Sequence, residues 1–206
     1  MKNQSFLKIE FSMSIKQISE NISKKLLEWD FEKAITNSNN EANTVDNLVK
    51  PFLNILGYKP IDDFQTEYSI EIENSSKSVD VVVMIKSKKP NILIECKTAK
   101  ADLEVHYNQL CHYFENSKES KLGILTDGII YKFYTYNFDN ENKLNSDPFF
   151  ELNLRDYSNS DLVELAGFDK SIIDIDSIIW EEKKWHTLAK KMLKSFKRQK
   201  NHKKGK

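Results

Sequence analysis

Residues 79–98 read VDVVVMIKSKKPNILIECKT, two apolar runs joined by a polar stretch. The first run is Val79–Ile85 and the second is Ile92–Ile94, with the polar turn Lys86–Asn91 between them. Side chains alternate faces along a strand, so Glu95 and Lys97 share a side and Cys96 faces the other way. If the two runs pair as a hairpin, Asp80 lies near the Glu95 end and can point to the same side. Two carboxylates and a lysine then converge at the edge of a buried sheet. Carboxylates with open positions are ligands for Mg²⁺, and a lysine beside them can hold a phosphate. An acid near a strand followed by Glu-x-Lys also arises by chance, as a surface ion pair at a strand end.

Outward from this hairpin the pattern is mixed. Ile15, Ile18, Ile22, Leu26 and Leu27 follow helical spacing and predict a helix over about 14–36, after a loose arm at 1–13 that allows a short strand. The polar run 36–40 supplies N-cap chemistry for a second helix over about 40–56, with Pro51 as a potential kink and Gly57 as its C-cap. Alternation predicts a strand at 64–72, and a helix follows the hairpin at 103–117. Strands at 122–127 and 130–136 flank Asp127-Gly128, a strong hairpin signal. The asparagine-rich segment 137–148 reads as a surface loop, 149–154 as an edge strand, and 160–168 and 176–196 as helices. This order predicts an α/β (α+β) layer fold with a central mixed sheet flanked by helices. The expected organisation is a main domain at 1–155, a helical extension at 156–196 and a disordered basic tail at 197–206.

Charged residues make up 30% of the 206. No apolar run is long enough to span a bilayer and no secretory signal is visible, so a cytoplasmic protein without a membrane partner is expected. Cys96 and Cys111 do not make a disulfide framework. The formal net charge of zero hides an asymmetry. The segment from Lys183 onward takes 11 of the 31 basic residues and no acid, leaving 20 basic against 31 acidic residues elsewhere. Lys183, Lys184, Lys190, Lys191, Lys194, Lys197 and Arg198 are therefore candidates for nucleic-acid phosphate contacts, against the alternative of a solvated helix. Trp180 and Trp185 are expected to anchor that helix rather than stack on bases.

Other constellations have a plain structural reading beside a functional one. Glu41 favours a helix N-terminus electrostatically, or is a third carboxylate on the same cation. Gln109 and Tyr113, four apart, share a helix face and either pack or flank the cleft, touching DNA or ordering the lysine. No zinc spacing, glycine-rich phosphate loop or nucleophile elbow is present.

Taken together, Asn40-Glu41-Ala42-Asn43-Thr44, Pro51-Phe52-Leu53, Leu56-Gly57-Tyr58, Val79-Asp80, Ile94-Glu95-Cys96-Lys97, Gln109 through Tyr113 and Thr126-Asp127-Gly128 resemble the N-terminal nuclease domain of type I restriction enzyme R subunits. That family belongs to the PD-(D/E)xK nuclease superfamily, and the resemblance spans about residues 28–140. It implies a restriction-endonuclease-like core and a Mg²⁺-dependent DNA endonuclease, with Mn²⁺ as a possible substitute. Asp80 and Glu95 would bind the cation, Glu41 would complete its shell, and Lys97 would position or activate the attacking water. Gln109 and Tyr113 match the family's QxxxY element. Asp127 replaces the usual asparagine of a TNG-like turn, a change expected to keep the turn chemistry. The chain has no Walker A motif, which leaves a free-standing relative or an excised domain; a stand-alone phage, prophage or defence protein is the preferred expectation, with DNA as partner and room for partner subunits or a homo-oligomer. The alternatives are a non-catalytic DNA- or protein-binding relative, against which the intact acid–acid–lysine set argues, and an RNA-directed nuclease.

Overall fold

The computed structural model describes residues 2–85 and 89–204, with side chains for 14–85, 89–193 and 195. The polar turn expected at 86–91 thus lies partly outside the described residues. The helices are α1 (Lys2–Glu28), α2 (Phe31–Thr36), α3 (Glu41–Thr44), α4 (Lys50–Ile55), α5 (Tyr107–Glu115), α6 (Asn159–Ala166) and α7 (Ile175–Lys204). The strands are β1 (Phe64–Ile72), β2 (Ser75–Val83), β3 (Ile92–Cys96), β4 (Leu122–Thr126), β5 (Ile130–Asn137), β6 (Asn140–Leu144) and β7 (Phe150–Asn153).

The strands form one mixed sheet in the order β1-β2-β3-β4-β5-β6, with β7 also paired to β5. Only β3 and β4 run parallel, and α5 lies in the crossover between them. Every residue of these two strands is buried, as expected for a central pair covered on both faces. On one face Leu110, Tyr113 and Phe114 of α5 pack on Val82, Leu93, Leu125 and Tyr134. Gly123 makes that approach possible, because a Cβ there would lie 3.1 Å from Leu110 Cδ2. On the other face Phe52 of α4 stacks on Tyr131 with ring centroids 4.1 Å apart. Phe133, Phe150 and Phe168 continue that layer. The Tyr58 hydroxyl donates to the Phe168 carbonyl (2.9 Å), fastening the end of α4 to the segment after α6.

Several expectations change. The arm at 2–13 is helical backbone, and the helix expected to continue to 36 breaks at Trp29-Asp30, where Phe31 N–H donates to the Trp29 carbonyl (2.7 Å). Leu27, placed on the apolar face by its spacing, is exposed. The helix over 40–56 is helical throughout, but Val45–Val49 widens into a π-helical turn. Pro51 follows after Lys50; it has no N–H to donate, and the wider turn accommodates the mismatch without a break. The asparagine-rich stretch contains β6, which is exposed except for Leu144, buried against α5. Trp180 and Trp185 are exposed rather than anchoring, and the Lys184 ammonium sits over the Trp180 ring at 5.2 Å. Backbone expected to be a disordered tail is helical through Lys204, in line with the good helix propensity of its Lys, Arg and Gln residues.

Two compact units are present, Met1–Ile173 and Asp174–Lys206. The first extends beyond the boundary expected at 155 because α6 packs against α1. The second consists of the long helix α7. Among the described residues no helix is long and apolar enough to cross a membrane.

Candidate functional site

The β2–β3 hairpin decides where the charges meet. Val81 pairs with Ile94, so Asp80 stands across from Glu95 where the ladder ends. Asp80 Oδ2 accepts the Cys96 N–H at 2.7 Å, locking that end of the hairpin. Beyond β3 the chain stays beside β4, with Lys97 N–H donating to the Thr126 carbonyl at 2.8 Å. Alternation carries Asp80, Glu95 and Lys97 to the face on which α5 lies. Cys96 faces the opposite side and is fully buried, as expected.

Lys97 is the hub. Its Nζ donates to Glu95 Oε1 at 2.7 Å and to Glu41 Oε1 at 3.2 Å. Glu95 and Lys97 are 1% and 5% exposed, whereas Glu41 is half-exposed at the rim. Glu95 Oε2 is buried with no hydrogen-bond partner, and an unpaired buried carboxylate oxygen is costly. Burial, then the charge of Asp80, pushes the Glu95 carboxyl up to about 7 despite the Lys97 hydrogen bond. Burial also lifts Asp80; the Cys96 N–H and Lys97 pull against it, and Glu41 and Glu67 add to the rise. Burial alone would lower Lys97, but Glu95 and Glu41 together outweigh it and raise it.

Glu41 reaches this hub because of two local devices. Asn40 Oδ1 caps α3 by accepting the Asn43 N–H (2.8 Å), which makes Glu41 the first helical residue. The Thr126-Asp127-Gly128 turn then packs on the helix behind it. Gly128 has φ 80°, and a Cβ there would fall 2.7 Å from Leu48 Cβ and 3.0 Å from Thr44 Cγ2. Asp127 uses both carboxyl oxygens: Oδ1 accepts the Ile129 and Ile130 N–H groups, and Oδ2 accepts that of Lys100 (2.8 Å). A single amide side chain could not offer both acceptors.

Gln109 and Tyr113 lie on α5, and Gln109 Nε2 donates to the Tyr113 hydroxyl at 3.3 Å. Tyr113 is buried in the α5 core layer and Gln109 is exposed. Among the described residues neither is hydrogen-bonded to Asp80, Glu95 or Lys97. Lys183, Lys184, Lys190 and Lys191 are exposed on α7, where Lys184 is paired with Glu181. The side chains of Lys194, Lys197 and Arg198 lie outside the described residues.

The sequence reading missed Glu67. It occupies the position of β1 between the Thr66↔Val81 and Tyr68↔Val79 pairs, and its charge is among those that lift Asp80. In the sequence it is one of several exposed glutamates in an alternating strand; only the β1–β2 register singles it out.

As the side chains stand, no three His, Cys, Asp or Glu residues among those described form a closed cation cage. The centre of the carboxylate group is instead filled by the Lys97 ammonium. The donor set nevertheless suits a hard divalent cation, which needs only one or two carboxylates and keeps water for its other positions. Glu95 Oε2 is an unpaired, buried carboxyl oxygen of that kind.

A family model described as type I restriction enzyme R protein N terminus matches residues 40–146. That span holds Glu41, Asp80, Glu95, Lys97, Gln109, Tyr113 and the Thr126-Asp127-Gly128 turn. No curated protein matches the chain. Among solved structures it is similar to a chain in a cryo-EM structure of a DrdV–DNA complex, with 13% identity and a TM-score of 0.45. The alignment covers 75% of this chain and 14% of that one, so the present chain spans about one-seventh of its length.

Proposed function

Because the chain belongs to the type I restriction enzyme R protein N-terminal family, we propose that it hydrolyses DNA phosphodiester bonds with a divalent cation, as an endonuclease. Family membership supports a nuclease-related role on DNA. The single observation that carries the finer reading is the buried, unpartnered Glu95 Oε2 beside Asp80, with Lys97 fixed alongside. These are the parts that phosphoryl chemistry needs: anionic oxygens for a cation and a positioned ammonium for developing charge.

Asp80 and Glu95, with Glu41 at the rim, would hold Mg²⁺, or Mn²⁺ in its place. When bound, such a cation lowers the pKa of water and neutralises charge on the phosphate oxygens. Lys97 directs two of its three N–H donors at Glu95 and Glu41, which fixes the third for a phosphate oxygen. Asp80, tied to the Cys96 N–H through Oδ2, keeps Oδ1 for the cleft. Burial of Glu95 keeps bulk water from the inner end of the cluster and strengthens each charge–charge interaction there. Gln109, exposed on α5 and hydrogen-bonded to the Tyr113 hydroxyl, would meet DNA at the cleft wall. The lysines of α7 add phosphate affinity without sequence preference, and that part of the binding weakens steeply with salt.

The test is cleavage of supercoiled plasmid with Mg²⁺ or Mn²⁺. Wild type should nick or linearise it, chelator should stop the reaction, and Lys97→Ala should lose at least 100-fold in rate while still binding DNA. If wild type leaves every DNA form intact with either cation, or if Lys97→Ala cuts as fast, the proposal is wrong.

A further inference from the structure

α7 carries an aromatic side chain that burial does not explain. Ile175 and Ile179 are the buried residues of its first turns, whereas Trp180 is 61% exposed. An indole left in water gives up one of the largest apolar burials a side chain offers. Helical spacing puts Trp180, Lys184, Thr187 and Lys191 on one stripe, at i, i+4, i+7 and i+11. Trp185, Leu188 and Met192 form a different stripe, roughly 100° round the helix. Trp180 therefore stands among lysines and not on the apolar face. Trp180, Lys183, Lys184, Thr187, Leu188 and Lys191 line one shallow depression.

The charges call for an anionic partner. From Lys183 onward there are 11 Lys/Arg and no acid. The acids at the start of the stripe, Asp176 and Glu181, already have partners, Glu181 being paired with Lys184 at 3.2 Å. Lys183 and Lys191 are exposed, and neither is in an ion pair among the described residues. The Lys184 ammonium lies 5.2 Å from the centroid of the Trp180 ring, so a cation and an exposed aromatic are already held together. The stripe from Trp180 to Lys191 is about 17 Å long, room for a short run of nucleotides. A partner that is only anionic leaves the indole bare, and an apolar partner leaves the lysines unmatched. A strand with phosphates along its edge and unstacked bases serves both. A duplex does not, because its base faces are already stacked on one another.

We propose that this stripe of α7 binds single-stranded DNA, with an unpaired base stacked on Trp180 and the flanking phosphates held by Lys183, Lys184 and Lys191. The site lies wholly within the unit Asp174–Lys206. It rests on the DNA-directed part of the proposed function and on nothing in the carboxylate cleft. Stacking tolerates any base, since every base has a π face, so the site has little sequence preference. Its preference is for strand form: an unpaired stretch over a closed duplex.

Fluorescence anisotropy of a labelled oligothymidylate with the full chain, chelator present so that cleavage plays no part, tests this. Wild type should bind it, and Trp180→Ala should weaken binding about tenfold, the scale of one lost stack. Trp180→Phe should recover part of the loss. Trp185→Ala, on the other stripe, should stay within about twofold of wild type, and so should Trp180→Ala on a duplex of equal length, which phosphate contacts alone hold. Lys183→Gln combined with Lys191→Gln should flatten the dependence of log affinity on log salt by about 1.4, two phosphate contacts' worth. Circular dichroism should show the same helix content in every variant, since the substituted side chains are exposed. If Trp180→Ala binds oligothymidylate as wild type does, or loses single strand and duplex equally, the stacking site falls. If oligouridylate or polyglutamate binds while oligothymidylate does not, the partner is RNA or an acidic protein and the proposal falls too. Plasmid nicking that persists through such a failure leaves the nuclease reading standing, whereas an inactive wild type that still binds oligothymidylate through Trp180 removes that reading and spares this one.

Discussion

Replacing Glu95 by Gln should make the cation-free protein more stable at pH 8 and leave it nearly unchanged near pH 4.5. Burial and the charge of Asp80 raise this carboxyl from its ordinary 4.5 to about 7. A group with a higher pKa in the folded state holds its proton more tightly there, so the unfolded chain ionises first as pH rises. The stability this group supplies in its protonated form is therefore lost between pH 4.5 and about 7. At about 1.4 kcal/mol per pH unit, the rise corresponds to ~3 kcal/mol. Gln imitates the protonated carboxyl in size and charge, and it leaves Lys97 in the surroundings that wild type offers at low pH. Urea unfolding with chelator present, at pH 4.5 and pH 8, measures the gap. It should open from near zero to ~3 kcal/mol in favour of the variant, equivalent to a melting shift of roughly 6–12 °C for a chain of this size. Asp80 is raised as well, so wild type should lose stability in the same direction from a second group. Equal stabilities at pH 8, or a weaker variant there, would refute the argument. Glu95 would then be ionised at no cost, with Lys97 as a sufficient partner.

Gly128→Ala should destabilise the chain by about 2–4 kcal/mol by thermal or chemical unfolding, because the new methyl meets Leu48 and φ is positive. Since Leu48 belongs to the helix that begins at Glu41, the variant should also lose cation affinity, and an unchanged Mn²⁺ titration would contradict that coupling. Asp127→Asn should cost about 1–2 kcal/mol despite its nearly identical shape, because an amide NH₂ would face the Lys100 N–H. Amide hydrogen exchange at Lys100 should quicken in that variant, and an unaltered rate would show that the bond is dispensable.

Much of the site could be read from the sequence because it depends on short-range rules. The apolar runs around the 86–91 turn set the hairpin, the hairpin set the register, and the register put Asp80 across from Glu95. The polar residues before Glu41 announced a helix start, and Asn40 supplies the cap. Asp127-Gly128 announced a tight hairpin, although not that both Asp127 oxygens would be engaged. Long-range or locally unfavourable features were not legible. Glu67 stands out only once β1 is laid beside β2 and its backbone angle is known. β6 has a single buried residue, Leu144, so its five positions show no alternation of apolar and polar residues to read. The π-helical turn ahead of Pro51 leaves no periodic trace over five residues. Spacing put Gln109 and Tyr113 on one face but could not say that each would be the other's partner.

The carboxylates of Glu41, Asp80 and Glu95 around Lys97 have a consequence for traffic. DNA is a polyanion, and a phosphate carried into this cleft would meet up to two negative charges beyond the one that Lys97 balances. On electrostatics alone the cleft turns nucleic acid away, whatever affinity basic surfaces elsewhere supply. A bound divalent ion would cancel that excess. Under the proposed reading the ion would be an admission condition as well as a reagent: occupancy of the cleft by DNA should follow divalent concentration and be largely indifferent to base sequence, even in variants that cannot cut.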